Sequence, residues 1–168
     1  MGRGTTDAFD LVTDWALDAP PDEVWAVLRA VEAWPLWWRS VRRVETLAVG
    51  DAEGIGAVHR LVWQTALPYR LTITTEISAI EPGRRIEVRA SGDVEGTGTW
   101  SLRPGAEGGT AVRYVWRVGV GKPWMRRLLP VLRPVFAWNH DRVMQAGDAG
   151  LRRHLAARPV GRRVPSSR

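Results

Sequence analysis

Hydrophobic positions along this chain change their spacing twice, and the two changes divide it into three parts. From Phe9 to Leu17 every second residue matches: Phe9, Leu11, Thr13 and Trp15 share one face, the period of a β-strand. Pro20 and Pro21 end that strand. Asp22 and Glu23 follow at the opening of a helix, where acids suit the positive end, and Val24, Trp25, Val27, Leu28 and Val31 give it an apolar side. Pro35 interrupts the pattern, and Trp34, Leu36, Trp37 and Trp38 form a second short helical piece.

From Val41 to Val120 the period of two returns in six segments. Val41 to Val49 and Ala57 to Thr65 are separated by a turn over Gly50 to Gly56. Leu67 to Ile80 places Tyr69, Leu71, Ile73, Thr75 and Ile77 on one face, against Arg70, Thr72, Thr74 and Glu76 on the other. After the Pro82-Gly83 turn, Ile86, Val88 and Ala90 point inward. Ser91-Gly92-Asp93 turns the chain again, and Val94, Gly96, Gly98, Trp100 and Leu102 then share a face. A loop over Pro104 to Gly109 leads to Val112, Tyr114, Trp116 and Val118. Consecutive strands joined by hairpin chemistry predict an antiparallel meander.

The second change comes at Lys122, after which the spacing is helical as far as Leu155. Pro130 and Pro134 predict an irregular start: a short helical turn, then a long helix from about Val131. One stripe of that helix holds Leu128, Leu132, Val135, Asn139, Val143 and Ala146. A neighbouring stripe holds Phe136, His140, Met144, Gly147 and Leu151, and Arg142, Arg152 and Arg153 suit the solvent side. The expectation is one α+β domain over residues 9–156: a curved antiparallel sheet of about seven strands gripping a long C-terminal helix, with two short helices after the first strand. Residues 1–8 read as a flexible N-terminus and 157–168 as a basic, disordered tail.

The element order, the entry Ala19-Pro20-Pro21-Asp22-Glu23-Val24-Trp25, the segment Trp34-Pro35-Leu36-Trp37-Trp38, the Glu81-Pro82-Gly83 turn and the terminal helix together resemble the helix-grip superfamily. That superfamily, also called SRPBCC, contains START domains, birch-pollen-allergen-like proteins and polyketide cyclase/dehydrase-type proteins. The resemblance covers Phe9 to Ala156. It implies the fold more sharply than the function, because the same scaffold hosts lipid carriers, receptors and cyclases.

Charge and chemistry narrow the picture further. A formal charge of +6 looks basic, but the tail from Arg158 carries four Arg and no acid, which leaves the domain at about +2. No basic face suited to a nucleic-acid backbone emerges, and nucleic acid is not an expected partner. The chain has no Cys, so thiolate catalysis, disulfides and zinc-thiolate sites are excluded. No apolar run reaches the roughly 18 residues that span a bilayer. Met1 to Thr6 fits the loose myristoylation pattern, but the expected location is cytoplasmic. A weak homodimer is compatible with the chain.

A twisted sheet under a helix leaves concave, mostly apolar space of the kind small molecules occupy. The expected walls are Tyr69, Ile73, Trp100, Tyr114 and Trp116 from the sheet and Leu132, Phe136 and Val143 from the helix, with Gly96 and Gly98 leaving room. His59, His140 and His154 show no metal-ligand spacing, and neither a metal nor a cofactor is expected. His140, beside Asn139 and Asp141, is the candidate acid/base, with Asn139 as its polar companion. Asp93 and Glu95 fall on the outer face by alternation, and Arg60 and Glu76 are candidates for a cross-strand pair.

Three functions fit. The first is binding of a small hydrophobic ligand: a lipid, a polyketide or an isoprenoid-like molecule. The second, which the resemblance implies, is a polyketide cyclase/dehydratase that works by positioning its substrate. The third is a partner-interaction domain, chaperone-linked, using exposed aromatics such as Trp37, Trp38 and Trp124.

Overall fold

The computed structural model describes residues 8–120 and 123–158, with side chains over 10–119 and 133–158. Its first strand, β1 (Ala8–Leu17), is followed by helix α1 (Pro21–Arg29), a 3-10 turn (Val31–Ala33) and the short helix α2 (Trp34–Trp37). Six strands come next: β2 (Val41–Ala48), β3 (Val58–Gln64), β4 (Arg70–Glu81), β5 (Arg85–Gly92), β6 (Val94–Pro104) and β7 (Thr110–Val120). The helix α3 (Pro123–Ala156) closes the order. Ala8 belongs to β1, and Ala157 and Arg158 continue from α3; the remainder of the two flanks expected to be flexible lies outside the described residues.

All seven strands form one antiparallel sheet in the order β1-β7-β6-β5-β4-β3-β2. The expected meander is present, and β1 returns to pair with β7 along its whole length, Trp15 opposite Val112 and Leu11 opposite Trp116. Bulges between Val41 and Arg43, between Thr46 and Ala48 and between Ile77 and Ala79 bend β2 and β4. Gly96 adds a further bend. Its φ of +152° suits glycine, and a Cβ there would lie 2.0 Å from the Arg117 carbonyl oxygen of β7.

The core is a layer of indoles. Trp15, Trp34, Trp37, Trp38 and Trp100 are buried. Their ring centroids lie 5.3 Å apart for Trp34 and Trp38, 5.5 Å for Trp15 and Trp100, and 5.9 Å for Trp15 and Trp38. Trp63 joins at 5.1 Å from Trp38. Edge-on and tilted contacts of this kind contribute about 0.5–1.5 kcal/mol each beyond the burial itself. Trp37 and Trp38 therefore do not form the exposed aromatic surface imagined for a partner-interaction domain; their helix turns both indoles inward. Trp124, the third residue of that surface, has its side chain outside the described set.

Helix α3 is one continuous element, not a short turn followed by a longer helix. Pro130 and Pro134 stand four residues apart, so the two amides they lack fall on one helix face, and Pro134 is exposed to solvent. Further along, α3 comes very close to α2. A Cβ at Gly147 would lie 2.6 Å from the Trp38 ring, and one at Gly150 would lie 1.9 Å from the Trp37 carbonyl oxygen. The Trp38 indole N–H donates to the Val143 carbonyl at 2.9 Å and ties the same two helices.

The cross-strand pair proposed for Arg60 is made with Glu45 of β2, at 3.2 Å, rather than with Glu76. The register explains this: Arg60 faces Glu45 directly, while Glu76 faces Val58.

This packing sets two known effects against each other at Gly150. Alanine there gains about 1 kcal/mol of helix propensity. It also drives a methyl group into a backbone carbonyl that cannot rotate away, and overpacking typically costs about 1–3 kcal/mol. Gly150→Ala is expected to lower stability by about 1 kcal/mol or more in urea denaturation. Gln145→Ala, on the exposed side of α3, is expected to stay within about 0.5 kcal/mol of the parent. A Gly150→Ala protein as stable as the Gln145→Ala control would contradict the close approach.

Candidate functional site

Between the concave face of the sheet and α3 lies a cavity of about 170 Å³, partly open to solvent. A single water needs on the order of 10–15 Å³ on the same kind of measure, so the space suits an organic molecule. Its floor comes from alternate residues of five strands: His59, Leu61 and Trp63 on β3, Leu71, Ile73, Thr75 and Ile77 on β4, Ile86 and Val88 on β5, Trp100 on β6, and Tyr114, Trp116 and Val118 on β7. Leu28, Val31, Trp34 and Trp38 form one end. Phe136, Asn139, His140, Val143 and Met144 of α3 cover the top.

Ile73, Trp100, Tyr114, Trp116, Phe136 and Val143 are thus brought together with Asn139 and His140 around one space. Tyr69 is not. It sits in the bends after Pro68, one residue before β4 begins, and is 39% exposed. The alternation that aligned it with Leu71 and Ile73 does not extend back through a segment that is not strand. The Leu132 side chain lies outside the described residues. Gly96 and Gly98 do not enlarge the cavity as expected. The β7 backbone occupies the space beside Gly96, and at Gly98 a Cβ would stand 2.7 Å from the Tyr114 hydroxyl and 2.8 Å from the Trp116 ring.

Trp100, Tyr114 and Trp116 form a stack along β6 and β7. The Trp100 and Tyr114 centroids are 4.1 Å apart and those of Tyr114 and Trp116 are 5.7 Å apart, both pairs inclined by 25°. The register builds this directly, since Trp100 is opposite Tyr114 and Gly98 is opposite Trp116. Burial pushes the Tyr114 phenol well above its ordinary pKa, so it remains protonated through the physiological range.

The polar groups differ in how far they are engaged. Asn139 is buried, and its side-chain oxygen accepts the Ala66 amide N–H at 3.2 Å, tying α3 to the loop before β4. Both ring nitrogens of His140 are buried without a hydrogen-bond partner; Nδ1 is 3.8 Å from the Asp141 carboxylate, within ion-pair range but too long for a hydrogen bond. Burial lowers the His140 pKa, outweighing the opposing pull of Asp141, and favours the neutral imidazole. Asp93 lies at the edge of the cavity rather than on the outer face, because it occupies the β5–β6 turn; its carboxylate accepts the Thr72 N–H at 2.8 Å.

His59 also lines the cavity, although its place in the sequence shows no metal-ligand spacing. It is buried on β3, and its Nε2 lies 3.1 Å from the Glu32 carboxylate, while Nδ1 has no hydrogen-bond partner. Burial pushes the Glu32 carboxyl upward, but hydrogen bonds from its own backbone, Thr46 and His59 together hold it below its ordinary value. An ionised Glu32 favours the His59 tautomer with its proton on Nε2. The signal was present in the alternation: His59, Leu61 and Trp63 share the inward face of one strand. Among the described residues, no group of three or more His, Cys, Asp or Glu side chains is arranged to hold a metal.

A seven-stranded antiparallel sheet closed over a long C-terminal helix, with an apolar cavity between them, defines the helix-grip class. Within that class the chain belongs to the polyketide cyclase/dehydrase and lipid transport family, whose model matches residues 9–156. Among solved structures it is similar to the Zhui aromatase/cyclase from Streptomyces sp. R1128, at 20% identity and a TM-score of 0.72, over 92% of this chain and 98% of that one. It is also similar to a START superfamily protein from Mycobacterium smegmatis, at 15% identity and a TM-score of 0.72, over 88% of this chain and 97% of that one. At these identities the likeness is one of fold. No curated protein matches the sequence. Among the described residues, no helix is long and apolar enough to cross a membrane.

The lowered pKa of His140 has a stability consequence. The unfolded chain binds a proton at this histidine near pH 6.5, before the folded protein does. The stability it contributes is therefore complete above that pH and is lost as pH falls through the depressed folded value. Urea midpoints at pH 7.5 and pH 5.5 are expected to show a larger acid loss for the wild type than for His140→Gln. Equal losses would assign the acid sensitivity to other groups.

Proposed function

We propose that this protein binds a small hydrophobic ligand, of lipid, polyketide or isoprenoid-like type, in the cavity between the sheet and α3. The observation that carries this reading is the lining itself: aliphatic and aromatic side chains from six strands, Leu11 of β1 included, and three helices converge on one space, with a few polar groups among them. Family membership supports hydrophobic ligand binding or cyclase activity without choosing between them.

A second reading, a polyketide cyclase or dehydratase, is favoured by one observation: the His140 imidazole is buried at the cavity without hydrogen bonds and is biased toward its neutral form. A neutral imidazole is the form that accepts a proton. In this reading His140 takes a proton from a methylene between two carbonyls of a folded poly-β-ketone. The carbanion attacks a distant ketone carbon and closes the ring, the new alkoxide takes back the proton from His140, and that hydroxyl then leaves with a hydrogen of the adjacent carbon as water, giving a ring double bond. Asn139 acts here as a positioning residue, since its side-chain oxygen already holds the Ala66 amide. Most of the acceleration in such a reaction comes from holding the reacting carbons together.

Trp34, Trp38, Trp63, Trp100 and Trp116 line the cavity, so occupancy is expected to change the intrinsic fluorescence. Titration with 9,10-anthraquinone and with palmitate, alongside mass identification of any molecule retained through purification, tests the binding reading. A saturable change with at least one probe is expected; no response to either, with no retained hydrophobic molecule, would overturn it. For the second reading, a linear poly-β-keto thioester is expected to give a different ring regiochemistry with the protein than without it. His140→Gln should abolish that difference while probe binding persists. Identical product ratios with and without wild-type protein would reject catalysis and leave binding intact.

A further inference from the structure

Tyr114 is built into the sheet in a way that core packing alone does not require. Its ring is held between Trp100 on one side and Trp116 on the other, at centroid distances of 4.1 and 5.7 Å. Its hydroxyl passes over β6 at Gly98, where no Cβ stands in the way; any other residue at 98 would begin 2.7 Å from that oxygen. The side chain is only partly buried by area although protein encloses it, and it lines the cavity, so its remaining open surface faces that space. The hydroxyl is not among the fully enclosed polar atoms that lack a partner, in keeping with open surface on the cavity side where a ligand can meet it. A tyrosine in an apolar setting ordinarily satisfies its O–H, because an unmade hydrogen bond in such a place is costly.

We propose that the Tyr114 hydroxyl is the hydrogen-bond donor through which the cavity recognises a carbonyl oxygen, making Tyr114 the residue that selects an apolar ketone over the corresponding hydrocarbon. This rests on the reading that the cavity holds a hydrophobic ligand. Three features favour a donor role. The stacked ring cannot swing, so the O–H is aimed before the ligand arrives. Burial keeps the phenol protonated, so it has a proton to donate at any physiological pH. The surroundings are apolar, which raises the penalty for a ligand that leaves the hydroxyl unpaired and so sharpens discrimination. The flat faces of Trp100 and Trp116 beside it suit a conjugated ketone.

The test compares 9,10-anthraquinone with anthracene, which share a flat three-ring frame and differ in the carbonyls. Tyr114→Phe removes the hydroxyl and keeps the stack. In tryptophan-fluorescence titrations the wild type is expected to prefer anthraquinone over anthracene by roughly threefold to tenfold more than Tyr114→Phe does, the span of one buried hydrogen bond. The Kd for anthracene should be the same in both proteins. If the preference is unchanged in the variant, or if both ligands weaken equally, the donor role is overturned while the cavity reading stands. If the wild type binds neither probe, the donor role is overturned, while the cavity reading falls only if palmitate also gives no response and no hydrophobic molecule is retained. A second measurement does not depend on the variant folding. The infrared carbonyl stretch of anthraquinone bound to wild-type protein should move to lower frequency than in hexane, and an unshifted band would overturn the proposal.

Discussion

The rest of the molecule depends on how closely α3 can approach α2. At Gly147 and Gly150 the approach is limited only by the absence of side chains: the Trp38 ring and the Trp37 carbonyl stand where a Cβ would be. The Trp38 indole N–H reaches across to the Val143 carbonyl and fixes the helix along its own axis. Small residues at 146, 147, 149 and 150 let one end of the helix sit down on the tryptophan layer. One to three turns earlier the inward residues are Phe136, His140, Val143 and Met144, too large for the same approach. A single rigid helix that is held down at one end and carries bulky side chains before it must bridge a gap, and the cavity is that gap.

The aromatic layer has two duties that a conventional aliphatic core would separate. Trp15 and Trp37 are packing residues. Trp34, Trp38 and Trp100 are buried yet also line the cavity, and Trp63, Tyr114 and Trp116 carry the same aromatic surface along its floor. Because these rings contact one another, each is held in place by its neighbours. Walls held in this way reduce the ordering cost of binding, since few side chains remain to be immobilised when a ligand enters. The arrangement also accounts for seven of the chain's ten tryptophans. Five of them serve the cavity wall, and three of those five are packed into the core as well.

Much of this was legible in the sequence, and the unread parts have physical reasons. Period-two alternation located the strands and the inward faces that bear Ile73, Trp100, Tyr114 and Trp116, because a half-buried sheet imposes that period directly. The same rule misled at Tyr69, where the strand had not yet begun, and at Asp93, where a turn ignores alternation. Trp37 and Trp38 could not be assigned to surface or interior from a four-residue helix, which has too few turns to show a face. Gly96 and Gly98 read as empty space, but whether a glycine leaves a hole or admits a neighbour depends on what lies opposite, and Tyr114 and Trp116 lie 16 and 18 residues after Gly98 in the chain. His59 went unread because its partner Glu32 lies on a different element, 27 residues away. The prolines of α3 suggested a break that one continuous helix accommodates.

Burial also sorts the protonation states of the polar groups around the cavity. An enclosed phenol stays protonated and an enclosed imidazole is held toward its neutral form, while hydrogen bonds, acting against burial, keep the Glu32 carboxylate behind His59 ionised. Tyr114, His140 and the Glu32-held His59 therefore come from three elements as a donor, a neutral imidazole and a ring whose tautomer is set by its neighbour. None of these properties belongs to a residue type at a fixed spacing. Each arises when a side chain of middling polarity is surrounded by apolar neighbours, which explains how a chain without a catalytic motif can carry a chemically differentiated cavity.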